Sequence, residues 1–543
     1  MKITLKIIAV AMCAMMLLSA FASCKKKDEN KPVESGSSDV TDTAADSDTE
    51  DDTVGETDTE KKDESESVEE TDTESSEATD VEETKEDTEE TDTEEIEETE
   101  TDENGYLVDG LPETYDWKGK QFTVFTWDEM DHWEWCEELT DKSGTVDYAL
   151  YKRMKSVEDR FKIKFKIVRE AGKYDKRTDF VSKLYDSIST GQKTYDLVGQ
   201  YTQAAGGAAT QNLYVDLNSV DYLDLSKPWW PSSISETTTI GDKLYFTTGD
   251  ITPTLIRNIH CMYVNEAIYE SEKIGETFAQ GRSMYEVVKD GDWTLELLMQ
   301  MGIGTVGDAG DTIGISFAND VSADAYYFGA DFRLLDNDNG ILTISDDLVS
   351  VDLINVYEKI QKMYSGQFAD VKIESGDHDF KFREGNVLFT ASTIAEAQTY
   401  TDKELEYSIL PMPMRDKDQE GGYKTVANFW VTMYSIPVDV ENTDFSGMIM
   451  EALASEAYRS VTDVIYYDVF AARFTEDIYG AELLDIVSDS VVFDSGRMFP
   501  DFIGNIWAAF RIGVVGSDAW TTIYANNSQA WSIKIESLYT LLG

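Results

Sequence analysis

Two short stretches of the sequence combine aromatic rings with planar polar side chains, a pairing suited to binding a polyhydroxylated solute. The first stretch is 127–135 and the second is 200–207. Rings cover the apolar C–H faces of such a solute, whereas amides, carboxylates and guanidinium groups bond its hydroxyls. The candidate ligand-binding residues in these stretches are Trp127, Asp128, Gln200, Tyr201 and Gln203.

Residue types suited to catalysis or metal binding are sparse or unpatterned. The three histidines, at 132, 260 and 378, are not at metal-ligand spacing, and no Cys-x-x-Cys accompanies them. Neither a Gly-x-Ser-x-Gly elbow nor a phosphate-binding Gly-x-x-x-x-Gly-Lys loop occurs. The 107 acidic residues are too many for any pair to stand out as a glycosidase dyad. The sequence predicts no catalytic residue, no metal and no cofactor.

Alternating strands and helices position the two candidate stretches. Residues 122–126 form an apolar strand, 146–161 an amphipathic helix and 163–167 a strand with one wet face. A second helix before Gly191 and a strand at 196–199 follow. This order predicts a largely parallel sheet, whose ligands bind beyond the carboxyl ends of the strands. We therefore expect loops at 127–135 and 200–207, with the Trp127 ring open in a wet cleft. Core positions are expected for Trp229, Trp230 and Trp293.

Two other motifs are interpreted as turns and loops. Residues 302–307 match Gly-x-Gly-x-x-Gly, but a helix-like run precedes them where a dinucleotide site needs a strand, so we expect a flexible loop. Residues 336–340 suggest a calcium loop, but the glycine is one place early and no glutamate follows at the right distance. A turn between two strands, 332–335 and 341–344, is the better interpretation.

The N-terminus is typical of an exported lipoprotein. Residues 7–18 form an apolar run too short to span a bilayer, following Lys2 and Lys6. Phe21-Ala-Ser-Cys24 resembles a bacterial lipobox, with Phe in place of the commonest Leu. This implies a signal peptide at 1–23 and a lipid on Cys24, holding the protein on the extracytoplasmic face of the cell membrane. The alternative is an ordinary signal peptide that happens to contain a cysteine.

Residues 24–105 are predicted to be a disordered acidic tether. Residues 25–103 carry 36 acidic residues, seven lysines and no aromatic residue. Such a segment cannot bury enough apolar surface to offset its chain entropy, and its charge favours an extended spacer. A minor alternative is capture of cations or basic partners by the acidic run.

The remaining 440 residues hold all 11 tryptophans and can form a large core of two or three domains. Their net charge of about −34 argues against nucleic acid as a partner. Cys136 and Cys261 are expected to be buried free thiols, with a disulfide between them as the less favoured alternative.

Several ordered motifs resemble those of the family 1 extracellular solute-binding proteins of ABC importers, the class that contains maltose-binding protein. These motifs are Tyr195–Gly207 with Asn212–Leu217, Gly241–Tyr245, Met262–Asn265, Trp293–Leu298, Phe382–Thr390 and Tyr407–Pro411. The resemblance implies two α/β lobes closing on a solute in the cleft between them. It places the first part of lobe 1 at 115–255, the first part of lobe 2 at 256–427, and a return crossing with a shared helical part at 428–543.

The resemblance also implies further ligand contacts. Arg257 and Asn258 lie at the expected first crossing, Thr390 and Ser392 after a strand of the second lobe, and Trp430 in the expected return strand 428–432. Trp507 and Trp520 lie in the C-terminal part, where sugar-binding relatives often supply a stacking ring. The implied protein is a monomeric, non-enzymatic, lipid-anchored receptor delivering a solute, most simply an oligosaccharide or sugar, to a permease. Alternatives are an adhesion or cell-wall protein on an acidic stalk and, less favoured, a surface glycosidase.

Overall fold

The first sheet of the computed structural model begins with an alternation of strands and helices. The structure describes residues 101–102, 104–306, 312–318, 321–372, 379–471 and 478–542. The alternating elements, in chain order, are β1 (Lys120–Trp127), α1 (Thr145–Phe161), β2 (Ile163–Glu170), α2 (Arg177–Ser189) and β3 (Leu197–Tyr201). Cys24, the signal peptide and most of the tether lie outside the described residues.

The predicted parallel sheet is confirmed. β1 pairs in parallel with β2 from Lys120–Ile163 to Trp127–Glu170, and it pairs in parallel with β3 on its other edge. A fourth strand, β11 (Thr432–Ser435), returns from late in the chain and pairs antiparallel with β3. The sheet order is β11-β3-β1-β2. β1 is buried over its last six residues because helices cover both faces of a parallel sheet.

The second sheet is mixed. Its strands are β4 (His260–Asn265), β5 (Ile313–Ala318), β8 (Ala369–Lys372), β9 (Val387–Thr393) and β10 (Tyr407–Leu410), in the order β10-β4-β9-β5-β8. We call the parts built on the first and second sheets the first and second lobes. A separate hairpin of β6 (Leu335–Asp338) and β7 (Ile341–Ile344) turns at residues 339–340. The predicted second strand is confirmed, but the first strand begins at 335 and not at 332, so 336–338 belong to the strand and not to the turn.

The connecting helices are mostly short. They are α3 (Thr202–Ala209), α4 (Ser232–Thr238), α5 (Pro253–Arg257), α6 (Glu266–Ser271), α7 (Ile274–Phe278), α8 (Met284–Lys289), α9 (Leu295–Thr305), α10 (Val321–Gly329), α11 (Val351–Ser365), α12 (Phe380–Arg383) and α13 (Ala397–Asp402). The flexible loop expected from residue 302 is wrong for 302–305, which complete α9. Gly302 lies against Ile315, where an added Cβ would come within 2.9 Å of that side chain, so close packing explains this glycine.

Before the C-terminal helices, the described part of the chain crosses between the lobes at two adjacent segments. The first crossing runs through α5 into β4, and the second, 425–431, leads into β11. The two crossings lie antiparallel, since the His260 amide donates to the Val426 carbonyl and the Asn428 amide donates to the Asn258 carbonyl. A paired double crossing of this kind concentrates the connection between the two sheets in a few residues, as hinges do, and the C-terminal helices add further contacts to both lobes.

The end of the chain is helical. Its helices are α14 (Thr443–Ala471), α15 (Ile478–Asp489), α16 (Ser495–Met498), α17 (Pro500–Ile503), α18 (Ile506–Val515) and α19 (Trp520–Leu542). α14 packs along α1 of the first lobe, whereas α18 packs on α10 and α11. None of the described helices is both long and apolar enough to cross a bilayer. Cys136 and Cys261 are free thiols, Cys261 buried and Cys136 only partly so.

Candidate functional site

Five aromatic rings form a connected row where the two lobes and the C-terminal helices meet. The Trp127 ring lies 5.5 Å from Tyr201 and 5.8 Å from Trp430, measured between centroids. Tyr201 lies 6.4 Å from Phe429, and Phe429 lies 5.5 Å from Trp507. We call these residues the aromatic row. It draws on both strand ends of the first lobe, on the second crossing and on α18.

Only part of the aromatic row is open to solvent. Trp430 is 39% exposed and Trp507 is half-buried, whereas Tyr201 is 4% exposed and Trp127 is fully covered. An aromatic ring that keeps part of its surface open to solvent can stack on a ligand, whereas a buried ring cannot. The open rings of the row are therefore those of Trp430 and Trp507.

Trp127 is a core residue, and the expectation of an open Trp127 ring is wrong for this structure. Its indole N–H donates to Thr432 Oγ1 at 2.9 Å. The loop after β2 covers it so closely that a Cβ on Gly172 would lie 2.6 Å from the Trp127 Cβ. Glu129 fixes that loop by accepting the amide hydrogens of Gly172 and Lys173 at 3.0 and 3.2 Å. Asp128, next to Trp127, is exposed. Its pKa is raised, mainly by partial desolvation and to a smaller extent by the negative charge of Glu129.

The second candidate stretch is not a loop. β3 continues through Tyr201 and α3 begins at Thr202, so the loop expected at 200–207 is wrong. Gln200 is buried, donating to Ser435 Oγ at 3.2 Å and accepting from the Tyr214 hydroxyl at 2.5 Å. Gln203 is also buried, at 5% exposure. An internal partner, rather than a ligand, satisfies the polar group of Gln200.

The first crossing contributes one side chain at the surface and one that holds backbone. The Arg257 guanidinium lies 3.6 Å from the centroid of the Trp133 ring, and both residues are partly exposed. Asn258 is buried and its amide nitrogen donates to the carbonyls of Thr254 and Trp430, at 2.8 and 2.9 Å. Asn258 thus fixes the backbone beneath the exposed Trp430 ring. Trp430 itself precedes β11 and is not in a strand, contrary to the sequence prediction.

Three further candidates lie inside the second lobe or the C-terminal part. Thr390 and Ser392 are buried within β9 rather than after it, and the Ser316 hydroxyl lies 2.8 Å from that of Thr390. Trp520 is 1% exposed and its indole N–H donates to the Leu348 carbonyl at 2.7 Å. The three residues that sequence reasoning assigned to the core, Trp229, Trp230 and Trp293, are all buried.

A buried charge cluster behind the open rings was missed from the sequence. Asp324 on α10 accepts two hydrogen bonds from Arg511 on α18, the one from Nε at 2.6 Å, and it lies 3.6 Å from a nitrogen of Arg497. We call these three residues the Asp–Arg–Arg cluster. Burial lowers the pKa of Arg497 to about 10, with Asp324 opposing that shift. The spacing of Trp507 and Arg511, four residues apart on one helix, is the sequence signal that points to their contact.

The Asp–Arg–Arg cluster is in direct contact with the aromatic row. The Arg511 guanidinium lies 4.1 Å from the centroid of Trp507, and that of Arg497 lies 4.2 Å from the centroid of Phe429. Arg497 also donates to the carbonyl of Ala427, on the second crossing, at 2.7 Å. Burial raises the pKa of the Tyr201 hydroxyl, and the nearby arginines oppose that shift. Phe429 and Trp507 thus pack on arginine side chains that are themselves held by hydrogen bonds.

Other concave surfaces are separate from the row. Cavities of about 520 and 410 Å³ lie on the first and second lobes, beside residues 131–147 and 288–292 respectively, and neither is lined by a residue of the row. Within the described part of the chain, no three His, Cys, Asp or Glu side chains are grouped so as to hold a metal ion.

Solved structures of similar fold are solute-binding proteins. The GacH receptor of Streptomyces glaucescens, solved unliganded and with acarbose, has 13% identity and a TM-score of 0.52 over 77% of this chain and 99% of that one. A Bifidobacterium longum protein solved with lacto-N-biose has 11% identity and a TM-score of 0.52 over 79% and 99%. UgpB of Mycobacterium tuberculosis, solved with glycerophosphocholine, has 13% identity and a TM-score of 0.50 over 77% and 98%.

No protein-family model and no curated protein sequence matches the chain. The structural likeness gives the fold: the chain has the two-lobe α/β architecture of the solute-binding proteins of ABC transporters. This confirms the fold class predicted from the sequence. In this architecture the aromatic row lies at the junction of the lobes and the crossings.

Proposed function

We propose that this protein is the solute receptor of an ABC importer and that it binds an oligosaccharide or sugar between its lobes. The observation that carries the proposal is the pair of open rings, Trp430 and Trp507, at the place where both lobes and the second crossing meet. An aromatic face can cover the C–H groups of a sugar ring at little entropic cost, because the ring itself is already held in place. The protein acts by binding and release, without catalysis.

The solutes of the three similar structures support a polyhydroxylated ligand. Acarbose, lacto-N-biose and glycerophosphocholine all expose hydroxyl groups beside apolar C–H surface. Two polar candidates border residues that contact Trp430: Asp128 follows Trp127 and is exposed, and Arg257 precedes Asn258 and is partly exposed. A carboxylate and a guanidinium both suit the bonding of hydroxyl pairs.

The anchor and the partner complete the proposal. Lipid on Cys24 holds the receptor on the extracytoplasmic face of the membrane, and the acidic tether lets the lobes sample solute at a distance from that surface. The receptor acts as a monomer and delivers its solute to a membrane permease. A Cys24→Ala variant should lose its labelled fatty acid when expressed in a bacterium, and normal labelling of that variant would exclude the lipobox.

The test of binding is a thermal-shift and calorimetry screen of the chain lacking its signal peptide. The panel contains neutral oligosaccharides, monosaccharides, phosphodiesters, amino acids and peptides. A true ligand at 100 times its dissociation constant should stabilise the protein by about 2.7 kcal/mol. Small-angle scattering with and without that ligand should show closure of the lobes. Binding only to insoluble cell-wall material, without a saturable small ligand, would favour the adhesion alternative, and turnover of a glycan would favour the hydrolase.

A further inference from the structure

Trp507 differs from Trp127, Trp293 and Trp520 in how its ring is held, and it shares with the buried Trp135 an indole nitrogen without a hydrogen-bond partner in the described part of the chain. The indole N–H groups of Trp127, Trp293 and Trp520 each donate to a fixed acceptor within 3 Å. The Nε1 atom of Trp507 is buried and has no hydrogen-bond partner among the described residues. The orientation of the Trp507 ring therefore depends on its packing against two neighbours, the Phe429 ring and the Arg511 guanidinium.

Arg511 is itself rigidly placed. Its guanidinium makes a two-point bond to Asp324, and only 12% of its side-chain surface is exposed. Asp324 is 4% exposed and belongs to α10 of the second lobe, so the bond ties α18 to that lobe. A planar guanidinium in a fork of this kind can stack on an aromatic face while both its ends are bonded, which an ammonium group cannot do.

Arg497 contacts the row at a second ring, that of Phe429. Its guanidinium lies against Phe429 and near Asp324, and it bonds the Ala427 carbonyl. Phe429 directly precedes Trp430, the most exposed ring of the row. One buried carboxylate, Asp324, therefore organises two arginines, and these contact the row at Phe429 and Trp507.

We propose that Arg511 is a positioning residue for ligand binding: held by Asp324, it fixes the Trp507 ring in the cleft without touching the solute. This inference rests on the proposed function for its effect on affinity, but its effect on the ring is independent of any ligand. It implies that charge alone is insufficient at position 511 and that the planar fork is required.

The experiment uses the chain lacking its signal peptide, in which 5-fluorotryptophan replaces all 11 tryptophans. Each tryptophan then contributes one signal to the fluorine NMR spectrum. Trp507→Phe assigns the Trp507 signal. In the ligand-free Arg511→Lys variant we expect that signal to shift or broaden while those of Trp127 and Trp293 stay in place. For the best solute of the screen we expect affinity to fall about tenfold, as lost cation–π support predicts.

The matched control is Arg415→Lys. Arg415 also lies over an aromatic ring, Phe332, and pairs with carboxylates at the surface, but it is remote from the row in its contacts. This control should leave both the Trp507 signal and the affinity unchanged. If Arg511→Lys fails to fold, Asp324→Asn is the second variant. It removes the carboxylate that accepts both hydrogen bonds from the Arg511 guanidinium, so it should displace the same Trp507 signal.

The outcomes separate the two proposals. An unmoved Trp507 signal in folded Arg511→Lys overturns the positioning role, whatever binds. A displaced signal with unchanged affinity for a confirmed solute overturns it as well, because the ring would then not serve binding. A displaced signal in a protein that binds no soluble solute upholds the positioning of the ring and overturns the proposed receptor function.

Discussion

The strand ends of the first lobe and the second crossing each supply aromatic residues to the same row, but they use them in opposite ways. At the strand ends, Trp127 and Tyr201 are at most 4% exposed, and Trp127 is bonded to Thr432. On the crossing, Trp430 remains 39% exposed, and the side-chain amide of Asn258 donates a hydrogen bond to its carbonyl. Aromatic type alone therefore does not distinguish a ring that supports the fold from one that can meet a ligand.

The difference follows from the surroundings of each segment. A strand end in a parallel sheet is covered by the loop that follows the neighbouring strand, here the loop at 171–174 that lies on Trp127. The second crossing pairs with the first crossing and does not lie within either sheet. The ring of Trp430 stays partly open there, whereas the ring of Phe429, on the same segment, is buried and lies against Arg497.

The largest expected effect is on the free energy of unfolding and concerns Trp127, the buried ring of this comparison. Trp127→Ala should lower the free energy of unfolding by about 3–5 kcal/mol, because it empties a fully buried ring volume and leaves the Thr432 hydroxyl without its donor. Urea denaturation followed by circular dichroism measures the change. Tyr174→Ala, at a ring that is 57% exposed, is the control and should cost less than about 1 kcal/mol. Equal small losses in both variants would mean that Trp127 is open to solvent.

A second prediction concerns how core rings are anchored in the first lobe. Glu451 is 1% exposed and accepts the indole hydrogens of Trp229 and Trp230, at 3.0 and 2.9 Å. Burial raises its pKa to about 8. Because this exceeds the unfolded value of about 4.5, the protonated form is favoured in the folded state, and the associated stability is lost as pH rises.

We therefore expect the free energy of unfolding to fall by about 3 kcal/mol between pH 5 and pH 8 through this group. Glu451→Gln should flatten that part of the pH profile because an amide does not ionise, and its oxygen can still accept one of the two indole hydrogens. The control is Glu441→Gln, at an exposed carboxylate paired with Lys120, which should keep the wild-type slope. A Glu451→Gln profile parallel to the wild type would show that this carboxylate is not protonated in the folded state.

How much the sequence predicts follows from which forces act locally. The alternation around Ile163 and the apolar run before Trp127 identify strands and their parallel order, since hydrophobic period and connection length determine these features. The helices at the C-terminus, by contrast, are implied by the family resemblance and not by a local pattern. The regular part of the chain thus predicts an α/β fold with a largely parallel sheet, and the family resemblance adds the two lobes.

The candidate site is predicted less well because exposure is a long-range property. Nothing local to Trp127 indicates that the backbone at Gly172 will cover it, and nothing local to Gln200 indicates that Tyr214 will satisfy its amide oxygen. The Asp324–Arg511 bond joins residues 187 positions apart. Pairing of this kind depends on tertiary packing, so sequence pattern finds the aromatic residues but not which of them stay open.

A third prediction sharpens the comparison at the crossing. Trp430→Ala should weaken binding of the solute found by the screen by about 1–3 kcal/mol, because a stacking face is lost. Its free energy of unfolding should change by less than about 1 kcal/mol, since the ring is already 39% exposed. Calorimetry measures the affinity and urea denaturation the stability. Tyr185→Ala, a 48% exposed ring on α2, is the control and should leave affinity unchanged.

The smallest effect is expected where the hairpin of β6 and β7 meets the first lobe, away from the row. The Asn337 amide nitrogen donates to the carbonyls of Thr237 and Thr239, at 3.1 and 2.8 Å, and the Gly241 amide donates to the Gly340 carbonyl at 2.9 Å. Asn337→Ala should lower the free energy of unfolding by about 1 kcal/mol, because carbonyls lose a neutral donor.

If the row alone contacts the solute, Asn337→Ala should change affinity by less than about 0.5 kcal/mol, the usual limit for sites without shared partners. Thr343→Ala, at an exposed position of β7, is the matched control for stability. Denaturation and calorimetry on the same preparations give both quantities. A larger loss of affinity in Asn337→Ala would mean that contacts between this hairpin and the first lobe help set the separation of the lobes. The exposure of Trp430 and Trp507 would then depend on the hairpin as well as on their own neighbours.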